Sequence, residues 1–381
     1  MRGSVTRIGA IARKEFRHLT RDWRMLVAVL VLPVIELLLF SMAISFDVRN
    51  VPTIVVDADR TPASRTFVQT FSTSSFFHVV GSTGDVADVD DAFVHGRARI
   101  AVFVQPGFEA AVQSGRKAEV GVLIDGSEPN AARMGQAYTI ALAQFASQKI
   151  TADWADRQGL DLRASGLIEP RVRTWYNPDR SSSIFLIPGL MVVIIMIVTV
   201  QQTAVTLVRE RDLHTREQML ISPLRLPELM LGKLLPWTAL AFFDMVAIAV
   251  VGLTVYGVPL RGSVPALALA SALFVFCSLG LGLLVSAIAP SLETANIVAM
   301  LVSFFPAFLL SGFAFPLEAV PVALQWISRI FPARYMVDAS RAVFLKGAGF
   351  ADIASDLVSL AVYAVVVLVA ATVLYRRTVR R

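Results

Sequence analysis

Six long apolar runs alternate with polar segments along the chain. A helix needs about 20 apolar residues to cross the roughly 30 Å hydrocarbon core of a bilayer, and each run is near or above that length. We therefore predict six membrane-spanning helices. The runs cover residues 25–46, 184–208, 234–256, 264–289, 295–315 and 357–375.

The polar stretch between the first two runs, residues 47–183, has a different pattern. Alternating strand and helix signals there predict an α/β domain, which we place outside the membrane. Short β-branched segments ending at Gly, Asp or Pro predict strands at 53–57, 76–80, 100–104 and 120–124. Helical apolar spacing predicts helices at 63–71, 86–95, 108–114 and 130–158. The pattern leaves open whether this domain contacts substrate or docks a partner.

A charged, amphipathic segment, residues 209–233, lies between the second and third runs. Opposite charges recur there at helical spacing. Pro223 predicts the end of this helix, because proline lacks an N–H and restricts the residue before it. Pro227 and Glu228 suit the first turn of the next helix. We predict a short cytoplasmic helix over 209–223; the alternative is an ordinary polar loop with a positive-inside bias.

The stretch after the fifth run stays apolar although it contains residues that break helices. Non-helical backbone at membrane depth is tolerated only when protein or water shields it. We therefore predict broken or re-entrant helices that line a lateral exit between residues 311 and 350. The residues expected to break helix are Pro306, Gly312, Pro316 and Pro321. The residues expected at the outer interface are Trp326, Tyr335 and Arg341.

Composition supports a membrane protein. Apolar residues make up 55% of the 381 residues and charged residues 17%, and the mean hydropathy is +0.64. Soluble domains have about 45–50% apolar and about 25% charged residues. The fold class expected is an α-helical integral membrane protein with six transmembrane helices, carrying the α/β domain after the first span. The five later helices occupy residues 184–375.

Basic residues predict the orientation. Sixteen of them flank the runs on one side of the membrane and five on the other, and the richer side is cytoplasmic by the positive-inside rule. Both termini are then cytoplasmic, residues 1–24 as an amphipathic segment and 376–381 as a basic tail. The first run is longer than the 7–15 apolar residues of a signal peptide, which predicts an uncleaved anchor. We attribute the basic balance to topology and anionic headgroups, not to nucleic acid.

Motifs for catalysis or cofactor binding are missing from the sequence. A nucleotide site needs G-x-x-x-x-G-K-[ST], whose backbone amides cradle phosphates. The only Gly-Lys pair, Gly232-Lys233, lacks the earlier glycine and the hydroxyl residue. The single cysteine, Cys277, and four scattered histidines provide no disulfide and no metal site. We expect neither an enzyme nor a cofactor-binding chain.

Two acidic residues, Glu36 and Asp244, lie within apolar runs. Each costs about 2.5–3.5 kcal/mol at the centre of a spanning helix on insertion scales. Such residues are expected to face the bundle interior, a partner subunit or an aqueous path. A structural hydrogen bond or a contact with the substrate path is favoured over a proton-coupled role.

The charged segment resembles a family signature. Permease subunits of type-2 ABC exporters, in the subgroup with a large extracytoplasmic domain after the first span, carry approximately E-R-E-x-G-T-x-E-Q-L-x-x-[ST]-P and then E-x-x-x-G-K. Two positions depart from it: Asp212 stands where the family commonly has Glu, and His214 where it usually has Gly. The first part is matched by Glu210, Arg211, Thr215, Glu217, Gln218, Leu220, Ser222 and Pro223, and the second by Glu228, Gly232 and Lys233.

Three further segments are similar to this family, in the same order along the chain. The first, residues 13–22, resembles its amphipathic N-terminal helix on the inner membrane surface. The second resembles its re-entrant exit segment through Ser311, Gly312, Pro316 and Pro321. The third resembles its N-P-x-x-Y…R…G stretch through Pro332, Tyr335, Arg341 and Gly347.

The resemblance implies a mechanism and a set of partners. Two six-span subunits, identical or different, would enclose a substrate path in the cell (inner) membrane. Two separate ATPase chains, which bind ATP and Mg, would push on the segment around Glu210–Leu220. The substrates implied are amphipathic: drugs, lipids or polyketide-like molecules.

Two other functions stay open at this point. The first is an ion-coupled carrier that uses Glu36 and Asp244, although no internal repeat supports it. The second is a membrane sensor with the α/β domain as receptor. Residues 209–223 discriminate them, because a carrier tolerates Glu217→Lys there and an ATPase-coupled exporter does not.

Overall fold

The computed structural model describes residues 2–43, 50–74, 76–83, 87–157, 175–178, 181–212 and 226–379. They form two compact units, one of residues 1–45 and 174–381 and one of residues 46–173. In chain order the elements are α1 (Arg2–Arg21), α2 (Trp23–Ala43), β1 (Val51–Asp57), α3 (Pro62–Ser72), β2 (Phe77–Thr83), α4 (Ala87–Val94), β3 (Ile100–Val104), α5 (Phe108–Gln113), β4 (Val120–Ile124), α6 (Pro129–Arg157), α7 (Ser182–Asp212), α8 (Leu226–Thr254), α9 (Val264–Ile288), α10 (Leu292–Leu309), α11 (Val322–Ser328), α12 (Pro332–Arg341) and α13 (Ala354–Val379).

Six helices of the first unit are long and apolar enough to cross a membrane. Each overlaps one of the six apolar runs, so the predicted number of spans is confirmed for the described residues. The candidate spans are Leu26–Ala43, Ser182–Thr206, Leu231–Thr254, Val264–Ile288, Leu292–Leu309 and Ala354–Leu374.

Two of these helices begin at a serine cap. The Ser263 Oγ accepts the Ala266 N–H at 3.4 Å, and the Ser291 Oγ accepts the Thr294 N–H at 3.2 Å. A side-chain oxygen at this position satisfies one of the backbone donors that the first turn leaves free. The fifth span therefore begins at Leu292, three residues before the start that the apolar run predicts.

The predicted helix break at Pro306 is wrong. This proline lies buried within α10, which continues to Leu309, and its carbonyl accepts the Leu310 N–H at 3.0 Å. Proline is tolerated inside a spanning helix where neighbouring helices cover the freed backbone groups. The chain turns after the helix at Gly312, whose φ of 81° is in the left-handed region that glycine favours.

Helix α7 lies at the centre of the first unit. Its residues Val192, Ile194 and Met196 are completely or almost completely buried, and α7 packs against α2, α8, α9, α10 and α12. A Cβ at Gly282 of α9 would lie 2.7 Å from the Val200 carbonyl oxygen. Small residues at such crossings let two helix backbones approach closely, which is how spanning helices gain packing energy.

The second unit contains a four-stranded sheet in the order β2-β1-β3-β4. Strand β1 is parallel to β2 and to β3, and β4 is antiparallel to β3. The parallel pairs require the crossover helices α3 and α4 that the alternating pattern predicts. The strands and helices predicted within 47–183 are present, with ends shifted by a few residues.

The two faces of this sheet are covered differently. On one face, Phe67, Phe71 and Phe108 form an aromatic cluster with ring centroids 5.4–5.6 Å apart. On the other face, Val89 of α4 packs in a smaller cluster with Val56 and other strand residues. Helices α3, α5 and α6 therefore share one face, and α4 lies on the opposite one.

A hydrogen-bonded turn fixes the start of α3. The Asp59 carboxylate accepts the Thr61 hydroxyl at 2.6 Å, the Gly107 N–H at 2.7 Å and the Glu109 N–H at 3.0 Å. These bonds, the Thr61 hydroxyl first, hold the pKa of Asp59 below its ordinary value. Asp59 thereby ties the start of α3 to the start of α5.

Candidate coupling and exit sites

The residues predicted to contact an ATPase lie around the connection between α7 and α8. Glu210 and Arg211 are in the last turn of α7. The other six predicted residues lie outside the described residues: Thr215, Glu217, Gln218, Leu220, Ser222 and Pro223. The structure therefore defines where this segment begins and ends, and the predicted roles of these residues stay predictions.

Where the segment begins, α7 is held by a small apolar cluster. Val208 is 1% exposed and packs with Ala289, Leu292 and Ala295. These three residues come from the end of α9, the turn after it and the start of α10. The end of α7 is thus attached to the turn that joins α9 to α10.

Where the segment ends, α8 is held by α1. Glu228 is in the first turn of α8, as the sequence predicts, and is only 5% exposed. The Ser4 hydroxyl donates to Glu228 Oε1 at 2.6 Å, and Arg7 Nη1 lies 3.6 Å from Glu228 Oε2. A buried carboxylate needs such partners, because removing one from water without them is costly.

Gly232 allows the close approach of these two helices. A Cβ at this position would lie 2.6 Å from Ile11 Cβ and 3.1 Å from the Ile8 carbonyl oxygen. Only glycine fits without moving α1. The adjacent Lys233 is 8% exposed. The E-x-x-x-G-K residues thus form part of the contact between α8 and α1, which the sequence alone does not reveal.

The predicted exit segment begins with a tight turn after α10. The Ser311 hydroxyl donates to the Ala307 carbonyl, and the Phe313 N–H donates to Ser311 Oγ at 3.2 Å. Ser311 is completely buried, and Gly312 supplies the left-handed conformation. The turn is therefore internally hydrogen-bonded and covered by protein, which non-helical backbone at membrane depth requires.

Arg341 holds this turn from the end of α12. Its Nη1 donates to the Gly312 carbonyl at 2.8 Å and its Nη2 to the Phe313 carbonyl at 3.1 Å. The guanidinium carbon also lies 3.9 Å from the ring centroid of Phe185 in α7. The sequence places Arg341 at the outer interface, whereas the structure places it half-buried against the turn. A guanidinium fits because it can bind two carbonyls and stack on an aromatic ring together.

The remaining predicted exit residues lie along the short helices that follow. Pro316 precedes a 3₁₀ turn at Leu317–Ala319, and Pro332 is the first residue of α12. The Tyr335 hydroxyl donates to the Arg329 carbonyl at 2.8 Å. Broken helices over 311–350 are therefore present, and a role in substrate exit stays a prediction.

The sequence patterns did not identify several residues of this site. The Ser340 hydroxyl donates to the Pro188 carbonyl at 3.1 Å, joining α12 to α7. A Cβ at Gly189 would lie 2.7 Å from the Phe313 ring. Gly189 lies within an apolar run that carries no local turn signal. Only its contact with Phe313 explains why a glycine is needed there.

The two intramembrane acids differ in environment. Asp244 of α8 is 1% exposed, and its Oδ1 has no hydrogen-bond partner among the described residues. Glu36 of α2 is half-buried beside Ile35 and Leu39, which are 43% and 62% exposed. Asp244 therefore lies inside the subunit, whereas Glu36 borders an open apolar surface.

Comparison with known proteins identifies the architecture. A family model described as ABC-2 family transporter protein matches residues 23–373. The chain belongs to this ABC-2 family. It is thus a multi-pass ABC transporter permease, a subunit whose family carries the ATPase on a separate partner.

Similar proteins match along nearly their whole length. "Probable multidrug ABC transporter permease YbhS" of Escherichia coli K12 is 30% identical over 90% of both chains. "Probable multidrug ABC transporter permease YbhR" of the same organism is 27% identical over 98% of this chain and 99% of its own. "Inner membrane transport permease YhhJ" is 26% identical over 88% of both.

Proposed function

We propose that this ABC-2 permease is the membrane subunit of an ATP-driven exporter of amphipathic molecules, such as drugs, lipids or polyketide-like compounds. Two permease subunits would enclose the path, and two ATPase chains with ATP and Mg would dock on the cytoplasmic side. The names of the E. coli relatives, two of which are called multidrug permeases, support this substrate class.

The contact between α1 and α8 carries this proposal. Segment 213–225 connects α7 to α8, and Glu228 and Gly232 fasten α8 to α1 within two turns of that connection. An ATPase that displaces the segment would therefore move α8 and α1 together.

The orientation follows from charge. The basic residues on α1, in 209–233 and after residue 375 would all be cytoplasmic, which also puts segment 213–225 within reach of a soluble ATPase. In this orientation residues 46–173 are extracytoplasmic. The short helices around Arg341 then lie towards the outer end of the bundle, in keeping with a role in exit.

The environment of Asp244 speaks against the carrier alternative. An ion-coupled carrier would need Glu36 and Asp244 on one aqueous path. Asp244 is enclosed within its own subunit, so we propose that it shares no aqueous path with Glu36. Glu36 is left as the acid that borders the substrate path or the second permease subunit.

The first experiment is gentle extraction of the tagged chain from its native membrane, followed by mass spectrometry of co-purifying proteins. We expect a soluble ATPase with vanadate-sensitive hydrolysis. Glu217→Lys is expected to abolish efflux, and Glu119→Lys, a charge reversal at an exposed site on β4's flank, is expected to leave it unchanged. Normal efflux and ATPase recovery with Glu217→Lys at normal expression would refute the proposal.

A further inference from the structure

A cleft of about 740 Å³ opens on one face of the sheet, between helices α3, α5 and α6. This volume is within the range of roughly 300–1,000 Å³ that small-molecule sites occupy. No part of the coupling or exit sites described above contributes to it. The residues used below are Thr66, Phe67, Glu109, Leu142, Phe145 and Lys149, all of which line it.

The cleft exists because α6 is longer than the sheet. Its 29 residues extend about 43 Å, whereas a strand of five residues covers about 17 Å. The first half of α6 is packed closely on the sheet. The Tyr138 ring stacks on Phe76 with centroids 4.1 Å apart, and a Cβ at Gly135 would lie 2.8 Å from Ile100 Cδ1. The second half runs on beside α3 and α5 and leaves a gap.

The walls of this gap are more apolar than their composition suggests. On α6, residues 142, 145, 146, 149 and 150 form one helical stripe that faces the gap. On α3, the Thr66 hydroxyl donates to the Pro62 carbonyl at 2.9 Å and the Thr70 hydroxyl to the Phe67 carbonyl at 2.6 Å. Both donors are satisfied within the helix. Phe145 stays 60% exposed at the rim.

The charged residues that line the cleft determine which kind of apolar molecule fits it. Glu109 is a half-buried residue, and its carboxylate forms no ion pair with the residues that the structure describes. A second carboxylate, that of Asp59, binds the Glu109 N–H at 3.0 Å. Lys149 on the opposite wall is exposed, so water solvates its ammonium group. Since the charge on a half-buried residue is less accessible to water than that on an exposed one, Glu109 gains more from a partner than Lys149 does, and the cleft favours a cation.

We propose that this cleft binds amphipathic organic cations. The apolar body lies between α3 and the second half of α6, and the cationic centre lies beside Glu109. The proposal does not depend on export, because it concerns binding to residues 46–173 alone. Its test therefore measures binding in the intact chain without an ATPase.

The test uses the rate of cysteine labelling in lipid nanodiscs. In a Cys277→Ser background, Thr66→Cys places a small thiol in the cleft, and Val94→Cys places one on α4, across the sheet. The native Cys277 is buried and its thiol donates to the Leu360 carbonyl at 3.3 Å, a bond that serine can keep. The probe is tetraphenylphosphonium, and its matched control is tetraphenylborate, of similar shape and opposite charge.

We expect tetraphenylphosphonium to slow maleimide labelling at Thr66→Cys by about tenfold or more at saturation, and to leave Val94→Cys unchanged. Adding Glu109→Gln is expected to raise the half-protecting concentration about tenfold. Adding Lys149→Gln is expected not to weaken protection. Because the interfacial dipole potential of a bilayer favours anions, an effect transmitted through the membrane would be larger with the borate.

Three results would overturn the proposal. Equal protection by both ions would show that the cleft does not select cations. Protection at Val94→Cys as well would show that the effect is not local. Absence of protection by either ion, with normal labelling of both thiols, would show that the cleft takes no molecule of this class.

Discussion

The clamp formed by Arg341 gives the sharpest test of the structure. In the Arg341→Ala variant, the carbonyls of Gly312 and Phe313 lose their donors, and the ring of Phe185 loses its stacked guanidinium. A hydrogen bond to a charged group contributes about 1.5–3 kcal/mol, and a cation–π contact to a ring that is 39% exposed, as Phe185 is, about 1 kcal/mol. Allowing for partial rehydration of the turn, we expect a loss of about 4 kcal/mol.

A second arginine provides a matched control. Arg329 stacks on Trp326 at 4.1 Å, nearly the same distance, but both side chains are exposed. An exposed contact of this kind contributes about 0.5–1 kcal/mol. The two alanine variants therefore remove the same type of stacking on an exposed ring, and only Arg341→Ala also leaves covered carbonyls without donors.

The assay is the thermal midpoint of the purified chain in nanodiscs, followed by intrinsic fluorescence and by loss of the monodisperse peak. At roughly 2 °C per kcal/mol, Arg341→Ala is expected to melt about 8 °C lower and Arg329→Ala within about 2 °C of wild type. Arg341→Lys is expected to fall between them, because an ammonium cannot bind both carbonyls and stack as a planar group does. Equal midpoints for the two alanine variants would refute the clamp.

Three further outcomes are expected. Gly232→Val, whose side chain would collide with α1, is expected to retain ATPase binding but to lose most efflux, measured as substrate release from inverted vesicles. Gly262→Ala, whose Cβ would lie 2.5 Å from the Ala348 carbonyl oxygen, is expected to cost about 1–3 kcal/mol in thermal stability. The pKa of Asp59 is lower in the folded protein than its ordinary value near 3.9, chiefly because the Thr61 hydroxyl donates to it. The ionised carboxylate therefore stabilises the fold at pH values above that ordinary pKa. This stabilisation is lost as the pH falls through the pKa that Asp59 has in the folded protein. The stability difference between wild type and Asp59→Asn is expected to shrink below about pH 4, as followed by hydrogen exchange at residues 107–109.

Local patterns in the sequence predict most of the fold. Apolar runs of spanning length identify the six spans, and period-two runs identify the four strands, because both are set by burial along a single element. Their ends are less accurate, since hydropathy does not see caps such as Ser291. Pro306 was misjudged for a related reason: its cost depends on the neighbouring helices, which the local sequence does not show.

The site is harder to predict, since its key contacts join distant parts of the chain. Arg341 reaches Gly312, 29 residues away, and stacks on Phe185 in another helix. Glu228 was identified as a helix-start residue, but its partner Ser4 is 224 residues away. The sequence motifs include both Glu228 and Arg341. Only the packing of α1 and α12 shows which groups these two side chains contact.

Helix α7 connects the two candidate sites mechanically. Near its start, Phe185 and Pro188 contact Arg341 and Ser340 of α12, and near its end Val208 packs against the turn between α9 and α10. The 24 residues from Phe185 to Val208 span about 35 Å at a rise of 1.5 Å per residue, close to the thickness of a bilayer core. Because no residue of α7 between Gly189 and Val208 is glycine or proline, this part of the helix resists bending. Under the proposed export role, a push on segment 213–225 is therefore carried by this rigid part of α7 as far as Gly189, which lies against the Phe313 ring in the turn after Gly312.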